Sequence, residues 1–389
     1  SNPLGTDVSK DSHLRFPSHT LSENEIPGPC EFVPREAAPM CDGDESIEGS
    51  RVAELLNQNE VQAILLIHGT FAGNDIAGLV REIARFSPVS ARRIRELGKR
   101  WLDDFVGEIG NYTEDFADVL LSRLGGDSSP SMVHCFLWSG EKHQLGRADA
   151  VMSLIEKIDS ICDPDASGDR VLIWAHSHGG NVVAMLSQIV GADRSDTETF
   201  FEQTRLHYHS PTFDKVDLSA WQRVKDRLLS QNDFPALDVA TFGTPLRYRW
   251  NREICPKLLH FIQHRVVDAK HPTKAVLPQS PQDVYRATAG DYVQHLGIAG
   301  TDFLPSIFAW RDWLVERRMG RIFESTARRR DVWKKLKLGR RPSCDGTTLL
   351  VDYSFEDNPW YSKLFGHGVY TMHQWLPFHL REITERFYG

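Results

Sequence analysis

The sequence predicts an α/β protein whose sheet is largely parallel and covered by helices on both faces. Short, partly β-branched apolar runs recur at Val61–Ile67, Met132–Trp138, Val171–Trp174 and Leu237–Phe242. Segments of helical spacing lie between them, as at Ala148, Val151, Leu154, Ile155 and Ile158. Several runs stop at a glycine turn: His68-Gly69-Thr70, Ser139-Gly140 and Gly243-Thr244-Pro245. Strands too apolar to alternate are buried on both faces, and strands that alternate with helices pair in parallel.

Residues 1–50 hold six of the 20 prolines and ten Asp/Glu against three Lys/Arg. They are expected to form an extended or partly disordered arm. The body, residues 51–389, is expected to be one domain. Val61–Ile67 is its first strand. Residues 75–125 form a first insertion, with helical spacing at Ile76, Leu79, Val80 and Ile83 and again between Trp101 and Leu124. Met132–Trp138 is the second strand, Arg147–Ile161 a helix, Val171–Trp174 the third strand and Asn181–Val190 the helix that follows it. Residues 192–235 are polar and form a second insertion. After the fourth strand, Leu258–Val267 fits either helix or strand. Tyr292–Ala299 reads as a fifth strand, 303–345 as a third insertion, Thr347–Tyr353 as a sixth strand and Trp375–Phe387 as a closing helix. Insertions of this length are expected to cap a site.

The formal charge is 45 − 53 = −8 over 389 residues, and the arm carries −7 of it. The body is therefore close to neutral, which disfavours a nucleic-acid surface. No apolar run approaches the roughly 18 residues of a membrane span. Six cysteines without a C-x-x-C pair build neither a disulfide scaffold nor a zinc ribbon. Free thiols fit a reducing compartment, so a cytoplasmic setting is expected. The Ser1-Asn2 start reads as a processed terminus, which keeps a removed signal peptide open.

Ala175-His176-Ser177-His178-Gly179-Gly180 lies between the third strand and its helix. Small residues two before and two after Ser177 permit a turn tight enough to project its hydroxyl at the carboxyl end of the sheet. Helix amides there favour developing negative charge. The plain alternative is a serine that caps the helix. His68-Gly69-Thr70-Phe71-Ala72-Gly73 follows the first strand, and its turn is suited to present backbone donors. The amides of Thr70 and His178 are the expected oxyanion pair.

With Thr241-Phe242-Gly243-Thr244-Pro245, these two motifs resemble the α/β-hydrolase superfamily, in its lipase and serine-esterase branches. The matching motifs span residues 61–245, weaker matches continue to the C-terminus, and the resemblance does not reach residues 1–50. Ala175 stands where the usual elbow has glycine. The resemblance implies an α/β-hydrolase fold and a Ser, Asp/Glu, His triad in chain order. Ser177 is then the nucleophile. Asp302, just after the expected fifth strand, is the acid, with Asp268 as its rival. His367, in Gly366-His367-Gly368, is the base, with His373 and His379 as alternatives. Phe71 and His176 are expected to line the substrate cleft. No cofactor is implied, and no metal.

Two weaker signals remain. His207 and His209 with Asp214 are metal-binding residue types, yet no third ligand is fixed by spacing. Residues 316–341 hold eleven Lys/Arg against three acids, interleaved with Met319, Ile322, Phe323, Trp333 and Leu336. This is either a solvated face or a dock for an anionic membrane surface. The sequence reading is thus a serine hydrolase for esters of lipid-like or hydrophobic acyl groups. A non-catalytic binding protein on the same fold, or an amidase or acyltransferase with the same triad, is the alternative.

Overall fold

The computed structural model describes residues 16–19, 26–34, 45–69, 112–125, 132–140, 144–162, 168–208, 217–230, 233–298, 319–320, 322–323, 329–353 and 366–389. Among them, seven strands form a single parallel sheet: β1 Cys30–Val33, β2 Val61–Ile67, β3 Val133–Phe136, β4 Arg170–His176, β5 Ala236–Phe242, β6 Leu258–Gln263 and β7 Thr347–Val351. The spatial order is β1-β7-β6-β5-β4-β2-β3. The chain first moves outward from β2 to β3. It then returns to the other side of β2 and runs from β4 through β5 and β6 to β7. The order therefore reverses between β2 and β4, the place where a doubly covered parallel sheet opens a crevice at its carboxyl ends.

Both faces are covered, as strands buried on both sides require. Leu65, Ile67, Val171, Ile173, Ala175, Leu237 and Val239 form one core with α3 (Gln144–Asp159) and α4 (Gly179–Val190). Their chain neighbours Ile64, Leu66, Leu172, Trp174, Ala240 and Phe242 point the other way. They pack with α1 (Glu45–Gln58), α2 (Glu114–Arg123) and α10 (Leu376–Tyr388). Every residue of α4 from Gly179 to Ile189 is buried. The helix behind Ser177 is therefore enclosed on every side, with its polar Asn181, Ser187 and Gln188 hydrogen-bonded inside.

The described parts of the insertions join these layers. α2 covers the second face beside β3. Within 192–235, α5 (Arg194–Tyr208) and α6 (Leu218–Ser230) contact each other, and α6 lies on α3, where the Trp221 indole donates to Asp149 Oδ1 at 2.9 Å. Met319, Ile322 and Phe323 are buried in the first core.

Two sequence expectations need correction. Residues 1–50 are more than an arm. Cys30–Val33 is the outermost strand of the sheet, paired to β7. Glu45–Gln58 starts a helix before residue 51. Phe16 is 5% exposed and stacks on Phe323 at 5.3 Å. The Pro17 carbonyl accepts from Gln188 Nε2 at 2.7 Å and from the Arg249 amide at 3.1 Å. Proline density misled here because an edge strand tolerates flanking prolines that a central strand does not. The second correction is Tyr292–Ala299. Tyr292–Ile298 is a helix, α8, which follows the short α7 (Pro281–Arg286), and the neighbouring strand is Leu258–Gln263, all six residues of it buried. A short apolar run has no periodicity that separates the two forms.

Candidate active site

The strand register places the site. Ile67 lies opposite Ala175, and His176 opposite Phe242. Extending both pairings shows that Ser177 emerges with Gly69 on one side and Gly243 on the other. Both neighbours must be small. A Cβ on Gly69 would sit 2.6 Å from the Ser177 Cβ, and one on Gly243 would sit 2.8 Å from Asp291 Oδ2 and 3.0 Å from His367 Cε1. Gly243 also has φ +60°, a region that favours glycine.

Ser177 itself has φ +53°. A side chain held in that region costs about 1–3 kcal/mol, and persists only where the surroundings over-determine it. They do so here. The Ser177 amide donates to the Phe242 carbonyl at 2.8 Å. The Ser177 carbonyl accepts from Thr244 Oγ1 at 2.8 Å and from the Gly180 amide at 3.2 Å. Ala175 is fully buried within the first core, so the methyl at that position is accommodated by packing.

His367 precedes a single 3₁₀ turn, Gly368–Thr371, in the connection from β7 to α10. It is fully buried. Its Nδ1 lies 2.7 Å from Asp291 Oδ2. Its carbonyl accepts from His176 Nε2 at 3.2 Å, and the two rings are 4.7 Å apart. With Nδ1–H donating to the carboxylate, Nε2 is the basic nitrogen of His367.

Asp291 was missed by the sequence reading, and the reason is specific. Mistaking α8 for a strand moved the expected acid past its carboxyl end, to Asp302. The acid on His367 stands at the other end, as the N-cap of α8: Asp291 Oδ1 accepts from the Gln294 amide at 2.8 Å. Gly290-Asp291 before an apolar run is a helix-start signal that would have found it. Ala287, at φ +49°, and Gly290, at φ +98°, turn the chain into this position. The Asp291 amide donates to the Gln263 carbonyl at 2.9 Å, which fixes the acid to the end of β6.

Asp291 Oδ2 also accepts from the Tyr370 hydroxyl at 2.9 Å, and that hydroxyl accepts from the Gln263 amide at 2.8 Å. Burial alone would raise the Asp291 carboxyl. The charge and hydrogen bond of His367, the Arg341 guanidinium and the Gln294 amide outweigh it, so the group stays below the ordinary carboxylate range. Burial holds the Tyr370 hydroxyl protonated, as a donor.

Of the remaining expected residues, His176 and His178 flank Ser177. The His178 Nδ1 accepts from Arg147 at 3.4 Å and from Asn181 at 3.3 Å, and Asn181 also donates to the Pro245 carbonyl at 2.8 Å. His178 thus anchors the start of α4. His68 is tied at three points. Its Nδ1–H donates to the Gly69 carbonyl at 2.6 Å, its Nε2 accepts from the Trp138 amide at 3.1 Å, and its carbonyl accepts from the Trp138 indole at 2.9 Å. Burial pushes the His68 ring down, so it stays neutral. Asp268, the rival acid, accepts from the Lys270 amide at 2.9 Å in a turn after β6. His373 starts a second 3₁₀ turn, and His379 is buried in α10 with Nε2 2.8 Å from the Tyr353 hydroxyl. Thr70, Phe71, Asp302, His209, Asp214 and most of 316–328 lie outside the described residues. Among the described residues, no group of His, Cys, Asp and Glu is placed to hold a metal.

In comparison with known proteins, no family model, no curated protein and no solved structure matches the chain. The chemistry therefore has to be read from this geometry.

Proposed function

We propose that the protein is a serine hydrolase that cleaves carboxylic esters, with Ser177 as nucleophile, His367 as general base and Asp291 as the acid that orients it. One observation carries the reading. A positive-φ serine after β4, a buried carboxylate after β6 and a buried histidine after β7 lie at the same end of the sheet, with the histidine 2.7 Å from the carboxylate. Helix capping alone does not account for the strain at Ser177. Capping needs ordinary extended backbone, whereas a turned-out hydroxyl needs the left-handed region.

The steps follow from the residue types. Ser177 Oγ adds to the acyl carbonyl carbon while His367 Nε2 takes its proton. Asp291 stabilises the imidazolium and fixes its tautomer without taking the proton. The negative oxygen of the tetrahedral adduct is met by the His178 amide at the start of α4, with the Thr70 amide as the proposed second donor. The alcohol leaves with the His367 proton, and water activated by the same nitrogen releases the acid. The strand order, with the nucleophile after β4, the acid after β6 and the histidine after β7, supports an α/β-hydrolase arrangement. The preference for hydrophobic acyl groups rests on the resemblance to lipases and serine esterases.

Labelling with a fluorophosphonate tests the reading. The adduct is expected on the peptide that contains Ser177, and is expected to vanish in Ser177→Ala. Hydrolysis of a p-nitrophenyl ester series should rise with acyl length before solubility limits it. Labelling at another serine, or an unlabelled folded protein, rejects the proposal.

A further inference from the structure

We propose that Arg341 is a positioning residue for the Asp291–His367 pair, holding the acid loop in place and supplying the fixed charge that keeps the carboxylate ionised. The inference rests on the hydrolase reading above, but the physical claim concerns the pair itself.

Arg341 is one of the eleven cations of the basic segment 316–341, for which a solvated or membrane-facing role was expected. It points inward and is fully buried. Its NH1 donates to the Asp291 carbonyl at 2.5 Å and to Gln294 Oε1 at 2.6 Å, and its NH2 donates to the Ala289 carbonyl at 3.1 Å. All three acceptors belong to the loop that delivers Asp291 and to the first turn of α8. The planar fork therefore clamps the backbone on both sides of the acid without touching its carboxylate. Arg341 is held in turn. Gly339, at φ +60°, ends α9 (Arg329–Leu338), the Ala275 amide donates to the Gly339 carbonyl at 2.7 Å, and Lys274 bridges to Arg340.

A buried guanidinium is costly, and three backbone or amide acceptors leave its charge uncompensated. The Asp291 carboxylate is the nearby anion that balances it. The other titratable groups facing the pair are Tyr370 on the 3₁₀ turn, His176 at the end of β4, Tyr292 and His295 on α8, and His264 after β6. Burial and Arg341 push His295 and His264 down to about 4. Burial raises Tyr370 and Tyr292. Across the range where histidine titrates, those four are neutral and Arg341 is charged. Removing its charge makes the pair hold its proton more tightly, on whichever atom the proton sits.

Two variants separate charge from shape: Arg341→Gln keeps a donor and loses the charge, and Arg341→Lys keeps the charge and loses the fork. The first readout is an NMR titration of the His367 ring in ¹⁵N-histidine-labelled protein, assigned by its loss in His367→Ala. It needs no turnover, so it tests the pair even if ester hydrolysis fails. The second is the acidic limb of kcat/KM with a soluble p-nitrophenyl ester. In Arg341→Gln, proton uptake by the pair is expected to move up by about one pH unit or more. In Arg341→Lys it should stay within about half a unit of the unchanged protein, while kcat falls as the loop loosens. A folded Arg341→Gln with an unmoved titration overturns the proposal. If that variant does not fold, Arg341→Lys decides: a titration moved by about a full unit there overturns it equally.

Discussion

Two carboxylates sit fully buried at opposite ends of the sheet, and their surroundings look alike. Asp291, at the carboxyl end, accepts a tyrosine hydroxyl from Tyr370 at 2.9 Å and lies near Arg341. Asp238, near the amino end of β5, accepts one from Tyr388 at 2.9 Å and pairs with Arg170 at 3.1 Å. Their behaviour is opposite. Asp291 is held below the usual carboxylate range, whereas Asp238 is raised, because burial outweighs the help of Tyr388, Lys257 and Arg170. The cations of Asp238 reach it from the rim, with side chains 30% and 27% exposed. Water screens such charges. The groups on Asp291 are themselves buried: a histidine, a backbone amide and a guanidinium. An ionised carboxylate needs charged partners that share its low dielectric, and of these two only Asp291 has them among the described residues. Asp238 instead staples the C-terminus, joining β4, β5 and α10 through Tyr388, with Lys257 donating to the Phe387 carbonyl.

The largest expected effect on stability is acid, and the two ends oppose each other in it. Burial pushes His260, His264 and His295 down to about 4 and His379 down to about 3. Above about pH 6.5 they are neutral in both folded and unfolded chains. Between there and about 4, the unfolded chain takes up protons that the folded one refuses, so stability falls as pH falls. Each histidine contributes about 1.4 kcal/mol per pH unit once its unfolded form is protonated. Asp238 acts with the other sign. A raised folded-state carboxyl loses stability as pH rises through the window above its ordinary value. Five histidines pushed down, His68 included, against three raised carboxyls, Asp159, Asp196 and Asp238, predict a net loss in acid, read as a urea midpoint that drops from pH 7 to pH 5. An unchanged midpoint would mean that those histidines are not buried neutral.

A smaller change tests whether the N-terminal segment belongs to the fold. Phe16→Ala should cost roughly 3–5 kcal/mol, as for other buried phenylalanines. An unaltered melting temperature would return residues 16–19 to the status of a loose arm. The smallest effects come from removing the two hydroxyls. Tyr388→Phe should lower stability by about 1–2 kcal/mol and leave turnover within a few-fold. Tyr370→Phe should change stability similarly but also lower kcat, because it removes a donor from the oxygen that holds His367. If Tyr388→Phe were the variant that damaged turnover, the contrast between the ends would be void.

Much of this architecture was legible before the fold was known, and the reasons differ by residue. β2, β4 and β5 were readable because they are apolar on both faces, and β2 and β5 also run into a glycine turn. Ser177 stood out because its turn needs small neighbours at fixed spacing. His367 was singled out by chain order and by the glycines around it, and the structure pairs it with a buried carboxylate. Asp291 was not, because Tyr292–Ile298 is seven residues long and its apolar pattern suits either secondary structure. That single misassignment put the expected acid at Asp302, eleven positions past the carboxylate that meets His367. β1 was hidden by its prolines. The role of Arg341 could not be read at all, since nothing local distinguishes it from the ten other cations of its segment.

The central claim is that Asp291 orients His367 beside Ser177. The most direct measurement is kcat for Asp291→Asn and for Asp302→Asn on one ester, with folding checked by near-UV circular dichroism. Asp291→Asn is expected to lose turnover by roughly 10⁴-fold, because the amide supports the wrong imidazole tautomer. Asp302→Asn is expected to stay within a few-fold of the unchanged protein. Near-full turnover in folded Asp291→Asn, with the loss in Asp302→Asn instead, would contradict the account.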